Sequence, residues 1–132
     1  MSRATEIIVI VSTADVRHVE QLSFWLADQA PRSDDRVDTP AGHLLPIAGA
    51  LTGEHWGGAL PPATPIWAGV ANHLDLPAFV DRVARVLWDD PDHVQLLARD
   101  DGDPWFRLYM IREGHAHQYA PAPPTGDQDR PW

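Results

Sequence analysis

The order of patterns along this chain predicts an α/β (α+β) two-layer sandwich, with two helices on one face of a mainly antiparallel sheet. Three observations carry the prediction. Glu6-Ile-Ile-Val-Ile-Val11 is a β-branched run without alternation, as in a covered or central strand. Residues 64–99 read as strand, helix, strand, with a capping acid and prolines at the junctions. Asp100-Asp101-Gly102-Asp103 is a turn sequence between two further apolar alternations.

After the first strand, Ser12-Thr13-Ala14-Asp15 has a hydroxyl followed three residues later by an acid, the pattern that closes a helix N-terminus on itself. A helix is expected over residues 13–29, ahead of Pro31. Steps of about 100° put Val16, Val19, Leu22, Ser23 and Leu26 on one face, with Trp25 at its margin. Phe24 falls on the far side. Between Ala30 and Pro62 only residues 43–48 look like a strand, and Pro46 confines it to a sheet edge or a bulge. The rest of that segment is long for a compact domain, and such loops concentrate function.

Ile66–Asn72 alternates as a strand, with Ile66, Ala68 and Val70 on one side and Trp67, Gly69 and Ala71 on the other. Asp75 can cap the second helix by accepting first-turn N–H groups, and Pro77 sits where a missing donor costs little. Leu76, Phe79, Val80, Val83, Val86 and Leu87 make its apolar stripe. On the opposite side Asp81 precedes Arg85 by four residues, the favourable order for an ion pair. Val94–Arg99 and Trp105–Ile111 then form a hairpin. Its Phe106, Leu108 and Met110 are expected in the core, leaving Trp105, Arg107 and Tyr109 on the other face. The sequence of elements, β-α-β-β-α-β-β, matches a ferredoxin-like β-α-β-β-α-β arrangement with an extra C-terminal edge strand. Residues 1–113 form the single domain. Residues 114–132, rich in proline and without periodicity, are expected to be an extended or disordered tail.

Composition narrows the function classes. The chain has 132 residues and no cysteine, which excludes disulfides, thiolate metal sites and a cysteine nucleophile. The formal net charge is −9, with every cationic residue an arginine. Such a surface repels phosphate backbones, so nucleic-acid binding is disfavoured, whereas a basic protein is steered in. The longest strongly apolar run, Ile7–Val11, is far shorter than the roughly 18 residues of a membrane span. A soluble, cytoplasmic protein is expected, with no membrane partner and no cofactor.

Several clusters are candidates for chemistry. Glu54-His55-Trp56, set between glycines, offers an imidazole and a carboxylate for general base work. His115 and His117 would share a face of an extended chain, as a metal pair requires, although no third ligand is fixed nearby. Asp100-Asp101-Gly102-Asp103 lacks the order of a calcium loop and reads as turn chemistry. No glycine-rich phosphate cradle follows the first strand, so a nucleotide site is not expected. Partner contacts are expected from aromatic residues set in an acidic rim: Trp56, Trp67, Trp105, Tyr109 and Phe24, with Asp89, Asp90 and Asp92.

In size and acidity, and in the stretch from Asn72-His73-Leu74-Asp75 to Val94-Gln95-Leu96-Leu97, the chain resembles small acidic bacterial immunity or antitoxin-type proteins. That resemblance implies a non-enzymatic protein that binds another protein, covering an effector's basic surface. The alternative reading is a small-molecule-binding protein or enzyme. It would be a homodimer of ferredoxin-like sheets, with Trp67, Trp105 and Tyr109 lining a pocket under the 49–62 loop. A third is a structural subunit whose tail, ending in Trp132, docks on a neighbour.

Overall fold

A computed structural model describes residues 4–30, 41–47 and 64–119. Its sheet is ordered around β1 (Ala4–Ile10), which pairs antiparallel with β3 (Ile66–Asn72) on one side and β4 (Gln95–Asp100) on the other. β2 (Leu45–Pro46) adds to the outer edge of β3, while β5 (Arg107–Arg112) and β6 (His115–Tyr119) extend the sheet beyond β4. The strand order is β2-β3-β1-β4-β5-β6, antiparallel at every pairing. β3 and β4 therefore run parallel to each other with β1 between them, and α2 (Leu76–Arg85) makes the crossover. A helix-and-sheet α+β fold is what the chain adopts.

Both helices cover one side of the sheet. α1 (Val16–Asp28), entered through a 3-10 turn at Thr13–Asp15, buries Val19, Leu22 and Leu26, as the periodicity predicts. α2 buries Leu76, Phe79, Val83 and Ala84. Asp75 caps it as expected, its carboxylate accepting the N–H of Ala78 at 3.1 Å. The Asp81–Arg85 ion pair also forms, at 2.9 Å, on the exposed side. Trp25 stacks on Phe79 with ring centroids 6.3 Å apart, and the Arg82 guanidinium lies 5.2 Å from the Trp25 ring centroid, tying the helices together. Pro46 stands in an edge strand, where its missing N–H costs no ladder bond.

In β3 and β5 the sides of the sheet are the reverse of those expected. Trp67 and Tyr109 are buried in the same core as Phe79, while Leu108 and Met110 stand on the helix-free side. Alternation says which residues share a side, and a strand apolar on both sides leaves open which one meets the helices. Register decides it. Val9 pairs with Trp67 and with Leu96, and Leu96 pairs with Tyr109, so these four form one row beneath the helices. The neighbouring row, Ala68, Ile8, Leu97 and Leu108, faces away.

Two further differences concern the edges. The chain at Ala41–Leu44 runs against β3, with the N–H of Asn72 bonded to the carbonyl of Ala41 at 2.6 Å. A Cβ at Gly69 would come within 2.1 Å of the His43 carbonyl oxygen, so that approach requires glycine. In addition, the first residues of the expected tail form β6. Glu113 and Gly114 both take positive φ, 53° and 75°, and make a two-residue turn that suits the sheet's twist. β5 is consequently an interior strand and β6 the edge.

Candidate functional site: the loop between α2 and β4

The apolar stripe of α2 stops one turn before Pro91. Val86 leaves helical geometry (φ −63°, ψ 139°), which rotates Leu87 outward and Trp88 inward. Leu87, expected in the core, is 86% exposed, while Trp88 is buried with its indole Nε1–H donated to the Val83 carbonyl at 2.8 Å. The buried indole thus satisfies a carbonyl of the last helical turn. Pro91 opens a 3-10 turn, Pro91–His93, that leads into β4.

The loop is held from the N-terminal end of the molecule's first helix. Asp15 is wholly buried, and its two carboxylate oxygens accept the backbone N–H groups of Asp89 at 2.7 Å and Asp90 at 2.9 Å. The Ser12 hydroxyl donates to the Asp90 carboxylate at 2.6 Å. Ser12 and Asp15, predicted to close their own helix on itself, make no side-chain cap there and reach across to this loop instead. His18 completes the support, its Nε2 3.8 Å from Asp15 and its ring edge-on to Trp88 with centroids 5.7 Å apart. A buried carboxylate with both oxygens engaged by N–H groups is a strong fixing point.

What this clamp presents is an exposed leucine beside the exposed side chains of Asp89 and Asp92, with Asp90 half-buried. Next to it a cleft of about 430 Å³ opens between Ile10, Thr13 and Pro65 on one side and Asp92, His93 and Met110 on the other. Asp15, His18 and Asp89 also form a group of three possible metal ligands, with one ligand atom from each within 4.8 Å of the others. The backbone bonds already account for the position of the Asp15 oxygens, and the group carries no argument for an ion.

The other expected site residues are scattered. Phe24 is exposed, at 70%, beside Trp25 and Arg82 on the outer surface of the helices. Trp105 is half-buried in the loop before β5, and Trp67 and Tyr109 are core residues, so no aromatic face of these three exists. His115 and His117 do share one exposed side of β6, next to Arg112 and Met110; among the described residues no third ligand joins them. Glu54, His55 and Trp56 lie outside the described residues, as do Trp132 and the whole of the 49–62 loop.

Turn chemistry accounts for much of the second aspartate cluster. The Asp101 carboxylate accepts the N–H of Ala4 at 3.0 Å, and Asp103 accepts from the N–H of Asp100 and from Arg107, both at 3.1 Å. Thr5 donates its hydroxyl to the buried Asp100 carboxylate across the β1–β4 pairing. The Arg107 guanidinium is held above its ordinary pKa, first by its hydrogen bond to Tyr109 and then by the Asp103 carboxylate. Because the folded pKa is raised, that contribution is present at all physiological pH and is lost only in strong alkali.

No family model matches the chain, and neither a curated protein nor a solved structure matches it. Among the described residues, no helix is long and apolar enough to cross a membrane.

Of the residues that build and support this loop, sequence reasoning named Asp89, Asp90 and Asp92 as expected partner contacts and did not single out Leu87, Ser12 or Asp15. Counting three- and four-residue steps carried the stripe one residue too far at Leu87. The adjacency of Trp88 and Pro91 was the available signal: an indole that needs the core and a proline that ends the helix leave one residue to turn outward.

Proposed function

We propose that this protein is a non-enzymatic binding module that recognises a basic surface of another protein through the Val86–His93 loop. The observation that carries the reading is Leu87, 86% exposed on a loop whose backbone is fixed by the buried Asp15. A loop already ordered loses little entropy on docking, so its contacts convert more fully into affinity. Burying a leucine contributes roughly 1.5–3 kcal/mol, and Asp89 and Asp92 at its margin favour lysine or arginine opposite. The chain's net charge of −9 steers such a partner in. An immunity-type role, in which the acidic loop covers an effector's basic site, fits this chemistry. We further read the framework as ferredoxin-like with β5 and β6 appended. The support is that α2 links β3 to β4 around β1, with β2 on the outer edge of β3.

The test is affinity capture with three baits: wild type, Leu87→Asp, and the double variant Asp89→Asn/Asp92→Asn. A partner recovered by wild type should be lost at least tenfold with Leu87→Asp. With the double variant it should bind more weakly and respond less to added salt. Equal recovery of the same partner by Leu87→Asp would overturn the assignment.

A further inference from the structure

The side of the sheet turned away from the helices is aliphatic at its centre. The register places Ile8, Ile10, Ile66, Ala68, Leu97 and Leu108 there. Val70, Leu45 and Tyr119 are 53%, 50% and 42% exposed and lie on this same side, so it holds three of the five most exposed large apolar residues described. Scattered apolar residues carry no meaning, but a contiguous patch on one face does.

Charge identifies what fits it. Of the charged residues in the described strands, only Glu6, Arg99 and Arg112 point to this side, and Glu6 is paired with Arg99 at 3.0 Å. A second copy of a chain carrying −9 meets like charge over most of its surface. Here it meets one carboxylate, two guanidiniums, the imidazoles of His115 and His117 along the β6 edge, and an aliphatic field at the centre.

Size agrees. Strands about 4.8 Å apart, with residues about 3.3 Å apart along each, give five strands of six residues a face of roughly 500 Å². Two such faces bury about 1,000 Å², the lower bound for a specific interface between proteins.

We infer that this face is the interface of a homodimer, in which two copies stack sheet on sheet about a two-fold axis. In such an isologous contact the same patch serves both copies, so every contact between two of these residues is made twice. Aligned sheets packed this way lie about 10 Å apart with strands offset by about 30°. The inference does not rest on the partner-binding loop, which stands at the end of the sheet.

Sedimentation velocity and light scattering on the full chain test it, at concentrations from low micromolar upward. The expected mass is twice that of the 14.7 kDa chain. Val70→Glu, at a position 53% exposed, should weaken self-association at least tenfold with an unchanged circular dichroism spectrum. Leu97→Arg should do the same from the centre of the face, and Leu87→Asp should leave the dimer intact. A wild-type chain monomeric at high micromolar concentration would overturn the inference. So would a dimer indifferent to both Val70→Glu and Leu97→Arg, or one dissociated by Leu87→Asp.

Discussion

Ser23 and Leu44 satisfy each other completely: the Ser23 hydroxyl accepts the N–H of Leu44 at 2.8 Å and donates to its carbonyl at 3.2 Å. One side chain on the inner face of α1 thereby replaces a strand partner for the segment that runs along β3. Ser23→Ala leaves both backbone groups of Leu44 without that partner. A loss of about 1–3 kcal/mol is expected, read as a lower urea midpoint at unchanged m-value.

Asp15 should be the most sensitive polar position. Removing its carboxylate in Asp15→Ala strands the N–H groups of Asp89 and Asp90 beside a small cavity. The expected cost is about 2–4 kcal/mol. Amide exchange at residues 89 and 90 should accelerate with it. Unchanged exchange there would show that the clamp does not hold the loop.

Leu87 and Trp88 are neighbours with opposite expectations. Leu87→Asp should change stability by no more than about 0.5 kcal/mol, because the side chain meets solvent. Trp88→Ala should cost about 3–5 kcal/mol, because it empties a buried indole site and removes the indole's hydrogen bond to the Val83 carbonyl. Thermal denaturation of the two variants side by side separates them.

Gly69→Ala forces a methyl group onto the His43 carbonyl oxygen, and Gly42→Ala forces one to within 2.3 Å of the Val70 carbonyl oxygen. Both obstacles are backbone, which cannot rotate away. Each variant is expected to lose about 1–3 kcal/mol through displacement of the 41–44 segment from β3. A midpoint equal to wild type would mean that this segment does not dock as described.

Elements with one strong period and clear punctuation were legible in the sequence. α2 with its Asp75 cap, the buried stripe of α1, the edge position of Pro46 and the glycine turn at Gly102 all follow from local chemistry. What the sequence hid was non-local. Trp67 and Ile66 are both acceptable core residues, and only the pairing of Val9 with Trp67 and Leu96 decides between the sides. Ser12 and Asp15 satisfy a local capping pattern so well that their engagement with Asp89 and Asp90, more than seventy positions away, left no trace in spacing. β6 was hidden because Glu113-Gly114 is a weak hairpin signal beside Asn-Gly or Asp-Gly. The candidate site suffered most, since its apex, Leu87, is defined by where a helix stops.

Asp15 grips amide protons, which every residue except proline supplies, and ignores the side chains at 89 and 90. The loop can therefore change its outward vocabulary, at 87, 89 and 92 alike, without renegotiating its shape. For the binding role proposed above, a lineage carrying this scaffold would be free to retarget quickly, swapping leucine for an aromatic or aspartate for lysine as its counterpart altered. Variation crowded at those three positions around an invariant Asp15 would be the mark of such a history.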